Sequence, residues 1–547
     1  MPSPLSPLRT LALSATVIAA GWGVPATALA PSARSTTLTV AAAAGPWSAE
    51  RSTPVIVTTP VIVTTPSPRG ARATRVTPAR SARRRRAFVT PASSAALTSA
   101  LGSMLDERVR SGTWGAIVVS LSRGDTLFSV NADAALQPAS NMKLFTSALA
   151  LETLGPLHRF HTQVLRDGPM DAQGVVHGNL ILRGDGDPSL SSRFMGGGPD
   201  APMDFLAQLV EGAGVRRVTG ALIADASAFD DAQVPEGWLD RYLQSSYAAR
   251  VSALSLDENL LWIVVHPGPD GRGAVVSLDP ATEVPIESSV RTVAGSASAR
   301  IYAQSRDDGT VEVRGWIGSR SRERRYQVVV ENPPIFAAGA MRRALAERGI
   351  VIAGRTRTGR TPVGAEPVTT LASPPLDRLL AAMNRESINH YAELLFRDAA
   401  RAAGQQGSAE EGNALLQRFL RERVGTAPDA VYTTDGSGLS VLDRTTPRAL
   451  VQLLAYAHRA PWGDALHASL PVAGESELLR TRMRHTPAQG NLHAKTGTTN
   501  DIISLAGYVT AHDGELIAFA FIYNGHDRWN ARSTMDEMGA TLAALTR

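Results

Sequence analysis

The chain of 547 residues has no cysteine, and Lys143 and Lys495 are its only two lysines among 55 basic residues. The lack of cysteine removes disulfides, thiol nucleophiles, iron–sulfur clusters and thiolate zinc sites together. It does not place the chain inside the cell, because an exported protein can fold without disulfides. There is no His-Glu-x-x-His and no phosphate-binding glycine loop, so nothing calls for a metal or another cofactor. Eleven histidines are present, but no Gly-x-Ser-x-Gly elbow accompanies them, which weighs against a Ser-His-Asp hydrolase. No segment reaches the roughly 20 apolar residues needed to cross a bilayer. The net charge of +5 is uneven: residues 1–90 hold eleven arginines and one glutamate, which leaves −5 over residues 91–547. The basic character therefore belongs to a tail, and the body is not that of a nucleic-acid-binding protein.

The scarcity of lysine is itself informative. Arginine serves wherever only positive charge is needed. It cannot serve where an amine must lose its proton. The two remaining lysines mark two places where amine chemistry is expected, against the plainer reading of two leftover surface residues.

Residues 1–30 read as a secretory signal: Arg9, an apolar stretch from Leu11 to Val24, and small residues suited to cleavage after Ala28. Residues 31–90 are rich in Ala, Thr, Pro and Arg, repeat Pro-Val-Ile-Val-Thr-Thr at 54 and 60, and end in Arg83 to Arg86. Such a segment buries no core and reads as a linker. It is suited to weak contact with anionic envelope polymers or a membrane surface, or to service as a solvated spacer.

The body begins near Pro91. A helix is expected over 94–110, a hairpin over 114–130, and a helix from Ser140 to Leu154 closed by Gly155-Pro156. Short strands with Gly and Asp turns fill residues 161–365 and read as inserted strand-rich material. A helix is expected from Ser387 to Ala403. Three strands (492–499, 503–511, 516–523) and a closing helix (532–547) follow. Residues 91–160 and 366–547 are thus expected to form one α/β (α+β) domain, an antiparallel sheet flanked by helices, interrupted by the insertion.

Each lysine sits in a motif. Ser140-Asn141-Met142-Lys143 opens the first helix, and its i, i+3 spacing puts hydroxyl and amine on one face. Serine is a poor nucleophile without a base in reach. Lysine is such a base only when burial or a second cation lowers its pKa. Lys495-Thr496-Gly497-Thr498 lies on a strand that can offer backbone groups to an extended peptide, with Gly497 allowing that peptide to come close. Lys495, Thr496 and Thr498 can gather around a carboxylate. Ser387-Ile388-Asn389 lies between them, with a hydroxyl for proton relay and an amide for a substrate carbonyl. The alternative for Ser387 is a plain helix N-cap. The first and last motifs falling in this order on the only two lysines has a chance probability on the order of one in a thousand.

The set Ser-x-x-Lys, Ser-x-Asn and Lys-Thr-Gly resembles the penicillin-binding protein and serine β-lactamase superfamily. The long gap between Lys143 and Ser387 narrows the resemblance. It points to the DacB-type D-alanyl-D-alanine carboxypeptidase/endopeptidase family, the class C low-molecular-mass penicillin-binding proteins. Residues 178–188, 251–256, 389–393, 435–440 and 470–474 are similar to the same family. Glu475-Ser476 departs from its frequent Asp-Gly, and no catalytic role is assigned there. The resemblance implies an exported enzyme of the periplasm or outer membrane face, acting on peptidoglycan peptides and acylated by β-lactams. It implies Ser140 as nucleophile, Lys143 as base or part of a relay, and Ser387 as proton donor to the leaving amine. Asn389, Lys495, Thr496, Gly497 and Thr498 would hold substrate, and the N–H groups of Ser140 and Thr498 the oxyanion. A β-lactamase or transpeptidase on the same scaffold, and a non-catalytic wall-binding relative, are the competing readings.

Overall fold

The computed structural model describes residues 88–109 and 111–547. The expected signal segment and nearly all of the expected linker lie outside the described residues. A five-stranded antiparallel sheet runs in the order His493–Thr498, Ile502–Thr510, Leu516–Asn524, Thr113–Ser120, Thr126–Val130. The first strand of the body thus pairs with the last, from Thr113 opposite Asn524 to Ser120 opposite Ile517. The two central strands are apolar on both faces because helices cover both. Alternate residues such as Phe519 and Phe521 pack on helices Ser94–Arg108 and Arg528–Ala543. Their neighbours Ala518, Ala520 and Ile522 pack on Phe145, Leu149, Leu395 and Leu450 of helices Met142–Leu154, Asn389–Ala402 and Pro447–Arg459. The period of two along each strand therefore separates two cores. The strand His493–Thr498 is left at the edge.

The inserted segment has its own apolar core around Leu180, Leu222, Phe336 and Met341. It holds a mixed five-stranded sheet and three three-stranded sheets. One boundary differs from expectation. Glu366–Ala372 pairs with His161–Arg166 and belongs to the insertion, so the chain returns to the interrupted domain at Ser373 rather than 366 and enters it through helix Leu376–Glu386. The two crossings are clasped there: Ser373 N–H donates to the Phe160 carbonyl (2.9 Å), and Phe160 N–H to Ser373 Oγ (2.9 Å).

Two helix starts also differ. Ser140 stands in a 3₁₀ turn, Ala139–Asn141, that runs straight into the α-helix beginning at Met142. Ser387 is not an N-cap: it ends the helix Leu376–Glu386 in a left-handed conformation, φ 61°, and the next helix begins at Asn389. A left-handed residue breaks one helix and re-aims the chain, which turns the Ser387 hydroxyl toward the edge strand. The closing helix runs from Arg528 to Ala543, four residues ahead of expectation at each end.

Candidate active site

The turn carrying Ser140 is wedged between two glycines. A Cβ on Gly497 would lie 2.1 Å from Ser504 Oγ and 2.7 Å from the Pro138 carbonyl oxygen. A Cβ on Gly438 would lie 2.0 Å from the Ala139 carbonyl oxygen. Ser504 Oγ donates to the Pro138 carbonyl at 2.7 Å and locks the turn to the sheet. Gly497 was expected to let a bound peptide come close; in the structure its missing side chain makes room for the turn that carries Ser140. Ala139 itself takes φ 47°, a strained value for a residue with a Cβ.

Lys143 is fully buried. Its Nζ lies 3.0 Å from Ser140 Oγ, 2.6 Å from Asn389 Oδ1 and 2.7 Å from the Ser437 carbonyl oxygen. The two last are pure acceptors and take two N–H hydrogens. In the neutral amine the third direction is a lone pair, and it points at the Ser140 hydroxyl. The positions of Asn389 and Ser437 thus dictate that a neutral Lys143 accepts from serine. Asn389 is held in turn by its Nδ2, which donates to the Tyr247 carbonyl (2.8 Å) of the inserted segment.

Lys495 is also fully buried; its Nζ donates to Ser387 Oγ and to the Thr496 carbonyl, both at 2.8 Å. The Thr499 N–H donates to Ile502 O at 3.1 Å. Ladder bonds alternate along an antiparallel strand, so the N–H and C=O of Thr498 face the free edge, where an added peptide strand can pair. Thr496 is buried and Thr498 exposed. The structure therefore brings Ser140, Lys143, Ser387, Asn389 and Lys495 into one linked cluster beside the edge residues Thr496 and Thr498.

Burial lowers Lys143 to a pKa of about 7, against the opposing pull of Asp435, Glu393 and Asp443. Burial, then the Lys143 charge, hold Lys495 well below the usual lysine range. Glu393 is pushed up to about 7, first by burial and then by Asp435. Burial and Asp435 raise Asp443 well above an ordinary carboxyl. Glu393 and Asp435 stood in the sequence only within family-like stretches, without a role, and Asp443 stood in none. A buried acid inside a helical run, as at Glu393, was the one signal that could have marked them. His390, lowered to about 3 by burial, accepts from Asn259 Nδ2 at 3.0 Å and is a neutral tie to the inserted segment. Among the described residues no group of acids and histidines could hold a metal ion.

An antiparallel sheet with a Ser-x-x-Lys turn packed against its edge strand defines the penicillin-binding and serine β-lactamase class of fold. The pattern of the D-Ala-D-Ala carboxypeptidase 3 (S13) family matches residues 97–545. A D-alanyl-D-alanine carboxypeptidase of Actinomadura sp. (strain R39) is 32% identical over 455 residues, 80% of this chain and 82% of that protein. D-alanyl-D-alanine carboxypeptidase DacB of Haemophilus influenzae is 25% identical over 427 residues, 77% of this chain and 87% of that one. In fold, the crystal structure of penicillin binding protein 4 (dacB) from Haemophilus influenzae superposes with a TM-score of 0.70 at 23% identity, covering 81% of this chain and 98% of that chain. The chain belongs to the D-Ala-D-Ala carboxypeptidase 3 (S13) family.

Two outcomes are expected. Gly497→Ala should lower the rate of acylation by a fluorescent penicillin about a hundredfold, because the turn bearing Ser140 must shift by a substantial part of an ångström. In the wild type the same rate should climb with pH up to about 7 and then level, since a protonated Lys143 cannot take the Ser140 proton. Stopped-flow or quench-gel acylation from pH 5 to 9 measures both.

Proposed function

We propose that Ser140 attacks the carbonyl of the penultimate D-alanine of a peptidoglycan stem peptide and releases the terminal D-alanine. The observation that carries this reading is the Lys143 amine, buried with two fixed acceptors and its remaining direction on Ser140 Oγ. Family membership supports the substrate. The stem peptide adds along the free edge of His493–Thr498, with its carboxylate toward Lys495, Thr496 and Thr498. Lys143 takes the hydroxyl proton as the Ser140 Oγ–carbon bond forms. The N–H groups of Ser140 and Thr498 hold the oxyanion, a contribution commonly worth about 3 kcal/mol per donor. Lys495 donates to Ser387 Oγ and leaves the Ser387 hydrogen free to pass to the departing amine, and the proton that Lys143 took from Ser140 is relayed to Ser387 and restores both groups. The carbon–nitrogen bond breaks, D-alanine leaves, and water hydrolyses the acyl-serine. Asn389 Oδ1 holds Lys143, and the second hydrogen of its Nδ2, beside the one given to the Tyr247 carbonyl, orients the peptide. The arriving carboxylate supplies Lys495 with the negative partner that the free site does not give it.

Cross-link cleavage has the same first half and differs only in what hangs from the leaving amine, so endopeptidase activity belongs to the same proposal. A β-lactam acylates Ser140 by the same steps and stalls. The reading places the protein outside the cytoplasm, in the periplasm or on the outer membrane face. Among the described residues no helix is long and apolar enough to cross a membrane.

The test is a denaturing gel after incubation with a fluorescent penicillin, beside D-alanine release from a cell-wall pentapeptide. Wild type should give a covalent band and free D-alanine. Ser140→Ala should give neither, and Lys143→Arg should lose at least a thousandfold in acylation because a guanidinium stays protonated. A band of normal strength from Lys143→Arg would remove Lys143 as the base.

A further inference from the structure

The Ser437 carbonyl that receives one Lys143 hydrogen does not hold its place alone. It belongs to an arch, residues 436–440, closed on a single carboxylate. Asp435 Oδ1 accepts from the N–H groups of Ser437 (3.0 Å) and Gly438 (2.7 Å). Asp435 Oδ2 accepts from the N–H groups of Leu439 (3.0 Å) and Ser440 (2.8 Å), and from Ser437 Oγ (3.1 Å). The sixth donor comes from the inserted segment: Trp238 Nε1–H reaches Asp435 Oδ2 at 2.8 Å. Both Trp238 and Asp435 are buried. In all six contacts the side chain acts as acceptor, the role of an ionised carboxylate. The same arch brings Gly438 against the Ala139 carbonyl and so bears on the turn of Ser140 as well.

We propose that Asp435 is a positioning residue for the acylation step: through the arch it closes, and with Trp238 of the inserted segment as its outer clamp, it fixes the acceptor that aims the Lys143 lone pair at Ser140. It touches neither Ser140 nor substrate and acts through Lys143 and through the turn that carries Ser140. Its charge opposes burial and favours the Lys143 ammonium, which keeps the amine near neutrality rather than far below it. The other charged groups that bear on Lys143 are Asp443 from the same loop, Glu393 from helix Asn389–Ala402 and Lys495 from the edge strand. Glu393 is tied to Arg397 at 3.0 Å and Asp443 to Thr433 Oγ1 at 2.9 Å, and the Asp435 charge pushes the pKa of both up. His390 on the same helix turns away to Asn259. The inserted segment thereby reaches Lys143 twice, through Trp238 and Asp435 and through the Tyr247 carbonyl and Asn389.

The proposal rests on the acyl-serine reading. Failure of that reading shows as no penicillin adduct on the wild type, whereas failure of this one leaves wild-type acylation intact. The experiment is the pH profile of acylation by a fluorescent penicillin, per folded molecule, for wild type and Asp435→Asn. Removing the Asp435 charge should move the midpoint of the acidic limb down by about half a pH unit, less than a lone charge would give, because Glu393 and Asp443 ionise more readily once Asp435 no longer holds them up. The rate on the plateau should fall at least tenfold, with the non-covalent affinity for penicillin unchanged. A wild-type rate and midpoint would overturn the proposal. So would a loss of rate alike at every pH with the midpoint unmoved, which is what a residue needed only to fold its loop would give. Should Asp435→Asn not fold, Trp238→Phe carries the test, since it keeps the charge and removes one donor. It should lose at least threefold on the plateau with its midpoint near that of the wild type, and full acylation by that variant would overturn the proposal.

Discussion

The structure turns on one buried amine. Lys143 sits where water cannot solvate its charge, among acceptors that dictate the direction of its hydrogens. Removing a lysine from water disfavours the ammonium, and in a wholly apolar pocket the group would simply stay neutral. Here three carboxyls nearby restrain that tendency, so its pKa settles at about 7 rather than far below. The amine can then both take a proton from Ser140 and give it up again. The surrounding polar groups are costly to bury unless each is satisfied. The arch on Asp435, with six donors around one carboxylate, is how that cost is met.

The inserted segment gains a meaning from the same requirement. It leaves the interrupted domain after Phe160 and returns at Ser373, between the motif of Lys143 and that of Ser387. From that position it lays Tyr247 on Asn389, Trp238 on Asp435, and Asn259 on His390. A segment so placed forms part of the wall that dries and fixes the lysine. The fit of the turn at Ser140 follows the same logic: Gly497 and Gly438 are bare because the turn must lie between edge strand and arch.

Much of this was legible in the sequence, for identifiable reasons. Near-complete replacement of lysine by arginine left Lys143 and Lys495 standing out, and their motifs pointed to an amine-assisted serine. The short apolar runs at 503–511 and 516–523 and the hairpin at 114–130 announced a sheet built from both ends of the body, because a strand covered by helices on both faces reads as a continuous apolar run bounded by turn residues. What stayed hidden depends on contacts between distant segments. Gly497 was read as room for substrate because its neighbour Pro138 is more than 350 residues away in sequence. Ser387 was read as beginning a helix because a left-handed link between two helices leaves no mark when the residue is not glycine. Glu366–Ala372 was assigned across the boundary because its partner strand could not be known. Asp435 stood only within a family-like stretch and Trp238 drew no reading, because the bond between them joins residues 197 positions apart.

The chain offers an unusually direct test of the central claim, that Lys143 is an amine poised to lose its proton. With Lys143 and Lys495 as its only lysines, protein labelled on lysine side chains gives two resonances, assigned by the Lys143→Arg variant. The account predicts that the Lys143 signal titrates with a midpoint near 7, and that of Lys495 well below the ordinary lysine range. Two lysines titrating together near the ordinary value of about 10.4 would contradict it, and Ser140 would then need another base.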